Sequence, residues 1–171
     1  MTLDSYIQSL HGKSIAVIGL GVSNRPLLRL LLDAGYTVSV RDKRTREAFG
    51  EDEATVLEAA GCRLVLGAGY LAGITEEVIF RTPGLPFNTP QLVKAREEGK
   101  TVTSEMEEFF KLCPAKIFAV TGSDGKTTTA SLMADMLRAA GKTVHLGGNI
   151  GKPLLSTLDL VSENDVCVIE L

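Results

Sequence analysis

The 171-residue sequence predicts the α/β class: a doubly wound parallel sheet followed by the incomplete start of a second α/β unit. Three observations carry this. Short apolar, β-branched runs alternate with longer amphipathic ones, the rhythm of strands joined by helical crossovers. Two of those runs end in glycine turns that open into helix-forming sequence, "VIGLGVSN" and "VTGSDGKTTT". Five candidate strands precede Leu112, which completes one sheet before the second unit begins.

The elements follow in order. "SIAVIGLG" (Ser14–Gly21) is a buried strand running into glycines. "RPLLRLLLDAG" (Arg25–Gly35) is a helix, with Pro26 suited to the first turn and Gly35 to the C-terminal cap. "TVSV" (Thr37–Val40) is a strand, followed by the charged stretch "RDKRT", which reads by default as a solvated loop. A helix around Glu51–Ala60 and strands at Arg63–Leu66 and Glu77–Phe80 come next. "RTPGLPFNTP" (Arg81–Pro90) is a loop, because its prolines cannot sit inside a sheet. A helix at Gln91–Glu98, a short strand at Thr101–Val102 and a helix "EMEEFFKL" capped by Thr103 or Ser104 finish the first unit, with Glu105–Glu108 read as a charged helix start.

The second unit begins near Pro114. "KIFAVTG" is a strand, and "KTTTASLMADMLRAAG" is a helix closed by Gly141. Leu132, Met133, Met136 and Leu137 recur at helical spacing and predict its buried face. "TVHL" and "DVCVIEL" are strands, separated by the glycine turn "GGNIGKP". The expected domains are therefore 1–112 and 113–171. Three strands and one long helix make a poor closed domain, so the second is expected to be part of something longer. Its open strand edges predict pairing with another copy or loss of order after Pro114.

Composition narrows the function classes. With 44% hydrophobic and 23% charged residues, the chain has the make-up of a globular protein. A chain of this length should bury roughly 70% of its unfolded surface. A net charge of −3 without a basic run gives no reason to expect nucleic acid, so any anion site must be local. Cys62, Cys113 and Cys167 form no C-x-x-C pair, and they read as filler in a reducing compartment. There is no signal-peptide pattern at the N-terminus and no apolar run of membrane-spanning length, which predicts a cytoplasmic protein.

"VTGSDGKTTT" is a phosphate loop of unusual length. The common form is G-x-x-x-x-G-K-[ST], but its first glycine position is held by Val120, and Gly122 stands closer to the Gly125-Lys126 pair. A strand leads in, a helix leads out, and Gly125, Lys126 and Thr127 occupy the junction. Backbone N–H groups from Gly122 to Lys126 can cup a phosphate at the positive end of the helix. Lys126 can reach terminal phosphates, and the Thr127 hydroxyl can ligate Mg²⁺. Asp124 does not spoil this, because the main chain does the holding. The plain alternative is a glycine turn with a chance lysine.

"VIGLGVSN" is G-x-G-x-x-N. Gly19 and Gly21 fit a tight strand-to-helix turn, and Asp42 closes the next strand near the spacing of a ribose-binding acid. Asn24 in place of the third glycine, and the basic "RDKR", argue against a dinucleotide. A nucleotide or sugar-nucleotide fits the same crevice, and a turn with no ligand remains open. Thr82, Pro83 and Gly84 follow a strand's C-terminal end, where open α/β sheets bind ligands, though a rigid loop is an equal reading. Glu170 ends the last strand, where a carboxylate can hold Mg²⁺ or simply face solvent.

Together these motifs resemble the Mur ligases. "VIGLGVSN", "RDKRT", "TPGLPFNTP", "VTGSDGKTTT", "GGNIGKP" and "VIEL" carry the resemblance over the whole chain, and within the family it points to the branch that adds D-glutamate. The resemblance implies a Rossmann-like domain gripping a UDP-substrate, then the start of a P-loop ATPase domain, then a third domain absent from this sequence. It implies an ATP- and Mg²⁺-dependent, amide-forming ligase that joins D-glutamate to UDP-N-acetylmuramoyl-L-alanine through an acyl phosphate. The full-length protein is expected to be a monomer. Gly122, Ser123, Asp124, Gly125, Lys126, Thr127 and Thr128 would hold ATP, with Asp124 standing where the family usually has asparagine. Thr127 and Glu170 would hold Mg²⁺, and Asn149 would lie near the reacting carboxylate, so Lys126, Asn149 and Glu170 are the catalytic candidates. Gly21, Val22, Ser23, Asp42, Lys43, Thr82, Pro83 and Gly84 would line the UDP-substrate pocket, with Lys43 in place of a small hydroxyl residue. A modified lysine, a histidine near Mg²⁺ and the adenine and D-glutamate pockets would lie beyond Leu171, so the chain alone is expected to be inactive. The rival classes are a sister Mur ligase, an NAD(P) dehydrogenase domain using Gly19, Gly21 and Asp42, and a non-catalytic nucleotide-binding module.

Overall fold

A computed structural model describes residues 1–149 and 153–171. In chain order these form α1 (Leu3–Ser9), β1 (Ile15–Ile18), α2 (Asn24–Asp33), β2 (Val38–Asp42), α3 (Arg46–Phe49), α4 (Glu51–Ala59), β3 (Arg63–Leu66) and β4 (Val78–Arg81). There follow α5 (Pro90–Glu97), β5 (Thr101–Thr103), α6 (Glu105–Leu112), β6 (Lys116–Val120), α7 (Lys126–Ala139), β7 (Val144–Gly148), a 3₁₀ helix (Leu155–Leu160) and β8 (Val166–Glu170). The chain divides into two compact units, one of Tyr6–Glu105 and the other of Met1–Ser5 with Met106–Leu171.

The first unit is a five-stranded sheet in the order β3-β2-β1-β4-β5, with every pairing parallel. Strand β1 is central, and Ile15, Ala16, Val17 and Ile18 are all buried because crossover helices cover both faces. One face carries Ala16, Ile18 and Ile79 against Leu85, Leu92 and Ala95. Helix α2 packs on β1 and β2 and buries Leu27, Leu28 and Leu31. Each such leucine contributes roughly 1.5–3 kcal/mol of burial. The connection from β3 back across to β4 reverses the direction of winding, so the C-terminal ends of β1 and β4 frame a switch-point crevice.

The "RDKRT" stretch is a solvated loop only in part, with Lys43 and Thr45 exposed. Arg41 and Asp42 are the last residues of β2 and are 1% and 4% exposed. Arg41 pairs with Glu76 at 3.1 Å and donates to the carbonyls of Tyr70, Ala72 and Gly73. A buried guanidinium is tolerable because its fork is filled by a carboxylate and three carbonyls. Similarly, Glu105 and Glu108 at the start of α6 are buried rather than solvated.

In the second unit, the sheet order is β6-β8-β7, again parallel, with β8 in the middle and buried throughout. The face of α7 differs from the sequence expectation. Its buried residues are Ala130 and Ala134, flanked by partly buried Met133 and Leu137, whereas Leu132 and Met136 are exposed. The helix approaches Val166 and Val168 through small side chains, and Leu132 and Met136 lie beside that strip. Helices α1 and α3 and the 3₁₀ helix have no counterpart among the predicted elements. They are too short to show a period.

Candidate functional site

In the first unit, a cleft of about 370 Å³ opens at the C-terminal ends of β1, β2 and β4. Of the sequence candidates, Gly21, Asp42, Lys43, Thr82 and Gly84 line it. Val22, Ser23 and Pro83 are not among its lining residues, and Val22 and Pro83 are exposed. Leu20, Arg44, Tyr70 and Leu85 line it without having been singled out. Arg44 carried a signal, since a residue two after an aspartate is the usual partner of its carboxylate. Tyr70, between two glycine turns, carried none.

The turn leaving β1 is built by close approach. Gly19 has φ +78°, and a Cβ there would meet Thr82 Cγ2 at 2.8 Å, so only glycine fits between the β1 and β4 loops. Asn24, where a third glycine was looked for, is buried and donates to the carbonyls of Ile18 and Gly19 at 3.1 and 2.9 Å. It ties the start of α2 back to the turn.

Asp42 is the electrostatic centre of this cleft. It accepts from the backbone N–H of Leu20 at 2.9 Å and of Arg44 at 3.0 Å. It also accepts a two-pronged bond from the Arg44 guanidinium at 2.9 and 2.8 Å. Burial works to raise its pKa, but the Arg44 bonds, the Leu20 N–H and the Arg44 charge outweigh it and bring the carboxyl down to about 2. Arg44 also reaches the Leu20 carbonyl and stacks over Phe49, so Asp42 and Arg44 together brace the cleft wall.

The second unit carries the "VTGSDGKTTT" loop, which the sequence reads as a phosphate loop. It connects β6, ending at Val120, to α7, starting at Lys126. Gly122, Ser123, Asp124, Gly125, Thr127 and Thr128 are exposed, which leaves the loop open to a ligand. Lys126 folds back and donates from Nζ to the Gly122 carbonyl at 2.8 Å. The Thr127 hydroxyl donates to Glu170 Oε2 at 2.8 Å. Glu170 is 7% exposed, and its own carbonyl accepts from the Asn149 N–H at 2.9 Å. The register of β6 with β8, which matches Val120 to Glu170, brings these ends together. Ile150, Gly151 and Lys152 of the "GGNIGKP" turn lie outside the described residues.

Close backbone packing sets this arrangement. A Cβ on Gly148 would lie 2.3 Å from the Glu170 carbonyl oxygen, so β7 can approach the end of β8 only with glycine there. The donor set around the loop, a hydroxyl and a buried carboxylate, is all oxygen and fits a hard cation such as Mg²⁺ completed by phosphate and water. Among the described residues, no group of three or more histidine, cysteine and acidic side chains is gathered for a metal, and no helix is long and apolar enough to cross a membrane.

Comparison with known proteins fits both units. Residues 13–104 match the family described as Mur ligase MurD-like, N-terminal domain, and residues 120–171 match the Mur ligase middle domain. The UDP-N-acetylmuramoylalanine--D-glutamate ligase of Clostridium novyi (strain NT) is 44% identical over 171 residues, covering 99% of this chain and 37% of the relative. The enzyme of the same description from Clostridium botulinum (strain Hall) is 48% identical over 160 residues, covering 93% of this chain and 35% of the relative. The crystal structure of a murein peptide ligase from Psychrobacter arcticus 273-4 is 22% identical, covers 93% of this chain and 37% of its own, and aligns with a TM-score of 0.45. The chain thus spans little more than a third of the curated relatives' length. It belongs to the Mur ligase family, with a MurD-like N-terminal domain followed by middle-domain sequence.

Proposed function

We propose that this chain is part of a cytoplasmic, ATP-dependent ligase of peptidoglycan synthesis, serving cell-wall growth and division. The ligase adds D-glutamate to UDP-N-acetylmuramoyl-L-alanine. The observation that carries the reading is the Thr127–Glu170 contact at the mouth of an open phosphate loop. It gathers a hydroxyl and a carboxylate beside Lys126, as phosphoryl transfer requires. The names of the relatives from Clostridium novyi and Clostridium botulinum support the same substrate.

In this reading the L-alanyl carboxylate attacks the γ-phosphorus of ATP, the bond from that phosphorus to the β-phosphate oxygen breaks, and an acyl phosphate forms as ADP leaves. The amine of D-glutamate then displaces inorganic phosphate and forms the amide. The loop N–H groups from Gly122 to Thr128 orient the triphosphate. Lys126 leaves the Gly122 carbonyl and neutralises charge on the terminal phosphates. Thr127 and Glu170 would hold Mg²⁺, which supplies charge neutralisation to the phosphates when bound. Asn149 lies beside Glu170 in the chain ladder and would orient the acceptor carboxylate.

The first unit's cleft would take the uridine diphosphate end. Asp42 already accepts four hydrogen bonds, which fills a carboxylate's usual capacity. Its proposed part is to hold Arg44 and the Leu20 turn in place, with Lys43 and Arg44 facing the ligand. The same saturation weighs against an NAD(P) site, where that carboxylate would have to accept from a ribose hydroxyl.

Calorimetric titration separates these parts. The 171-residue chain should bind UDP-N-acetylmuramoyl-L-alanine, and MgATP independently, without turning them over. Lys126→Ala should weaken MgATP at least about tenfold and leave the uridine ligand unchanged. Binding of nicotinamide nucleotides with no response to uridine nucleotides would overturn the reading.

A further inference from the structure

Two of the three cysteines meet in the second unit. Cys113 Sγ and Cys167 Sγ lie 3.6 Å apart, although 54 positions separate them in the chain. Both are free thiols. The contact serves neither the phosphate loop nor the sheet ladder, and a bonded pair of sulfurs needs a separation of about 2.05 Å. The remaining approach is a small one for a side chain on an irregular segment.

The two thiols are unequal. Cys113 follows the last turn of α6, is partly exposed, and precedes the non-helical link to β6. Its N–H bonds the Phe109 carbonyl, and its thiol lies 3.7 Å from the Ala115 carbonyl. Cys167 is the second residue of β8, fully buried and paired in register with Ile117 and His145. Burial, then the neighbouring Cys113, pushes the Cys167 thiol up to about 12. One thiol therefore sits on a partly exposed residue outside helix and strand, while the other is shielded within the sheet and in contact with it.

We propose that Cys113 and Cys167 are an oxidant-responsive pair that closes reversibly into a disulfide on exposure to hydrogen peroxide. The Cys113 sulfur attacks one peroxide oxygen, the O–O bond breaks, and Cys113 becomes a sulfenic acid with release of water. The Cys167 sulfur then attacks the Cys113 sulfur. The S–O bond breaks, and the departing hydroxide takes the Cys167 proton and leaves as a second water. The two thiols lose two electrons in all, and the peroxide gains them. The resulting bridge ties the chain entering β6 to the strand that ends in Glu170. By restricting the unfolded chain, it raises the thermal midpoint until a dithiol reductant reopens it.

The test uses the reduced 171-residue chain with hydrogen peroxide, then alkylation, intact mass and a non-reducing peptide map. The expected product is a monomer lighter by two hydrogens, with Cys62 alone alkylated, a peptide joining Cys113 to Cys167, and full reversal by dithiothreitol. In Cys167→Ser, oxidation should stop at a dimedone-reactive sulfenic acid on Cys113. In Cys113→Ser, Cys167 should stay a thiol. Persistence of both thiols after peroxide, a bridge through Cys62, dimers linked through Cys113, or direct oxidation of Cys167 in Cys113→Ser would each overturn the proposal. Should a serine variant fail to fold, the peptide map of the unaltered chain still decides.

Discussion

Thr127 and Glu170 are 43 positions apart in the chain, and the threonine hydroxyl donates to the glutamate carboxylate at 2.8 Å. Neither residue reaches the other through its own element. Thr127 is in the first turn of α7, Glu170 is the last residue of β8, and the pairing of β6 with β8 brings both to the same end of the sheet.

This contact predicts a shared role in holding a cation. Thr127→Ala and Glu170→Gln should each reduce the gain in ATP affinity that Mg²⁺ provides, by about tenfold, and the double variant should lose little more than either alone. Titration calorimetry with and without Mg²⁺ reads this directly. Equal Mg²⁺ dependence in all three variants and the parent would remove the assignment.

Asp42 predicts a pH dependence. Its folded pKa of about 2 lies below the ordinary aspartate value of 3.8, so the carboxylate stabilises the folded first unit. That contribution is complete above the unfolded value and is lost as pH falls from about 4 toward 2, and the shift corresponds to roughly 2 kcal/mol. Asp42→Asn should lower stability at neutral pH by a similar amount and flatten the acid limb of the unfolding curve in that window. Urea titrations at several pH values would measure it, and an unchanged acid limb would contradict it.

Arg41 predicts a large structural cost. Removing it strands Glu76 in the interior and frees three carbonyls, so Arg41→Ala should destabilise the first unit by about 3–5 kcal/mol. Arg41→Lys should recover little, because an ammonium cannot reproduce the fork that reaches Tyr70, Ala72, Gly73 and Glu76 together. Full recovery by lysine in chemical denaturation would show that charge alone suffices.

Gly148 predicts a defect that joins stability to nucleotide binding. An alanine Cβ would collide with the Glu170 carbonyl, and φ at this position is +97°. Gly148→Ala should cost about 2–4 kcal/mol in the second unit and weaken MgATP binding by shifting the end of β8. A variant of parental stability, measured by thermal unfolding, would mean that β7 and β8 can separate without loss.

Much of the architecture was legible along the chain. Ile15–Ile18 and Val78–Phe80 read as strands because a parallel strand covered on both faces is apolar at every position. Gly125, Lys126 and Thr127 read as the juncture of a strand, a turn and a helix, which is where β6 gives way to α7. Here sequence spacing alone carries the geometry.

What the sequence by itself determined was therefore local: which segments are strands and helices, where the glycine turns fall, and the family's motifs. Only the tertiary structure decided that β8 lies between β6 and β7, that Arg41 turns inward to Glu76, that α7 packs through Ala130 and Ala134, and that Cys113 meets Cys167. Periodicity reports that an element has an apolar face, and in α7 it did not say which side chains of that face are covered. It carries no information about which distant strand will be the neighbour there, because strand order and register arise only when the whole sheet assembles.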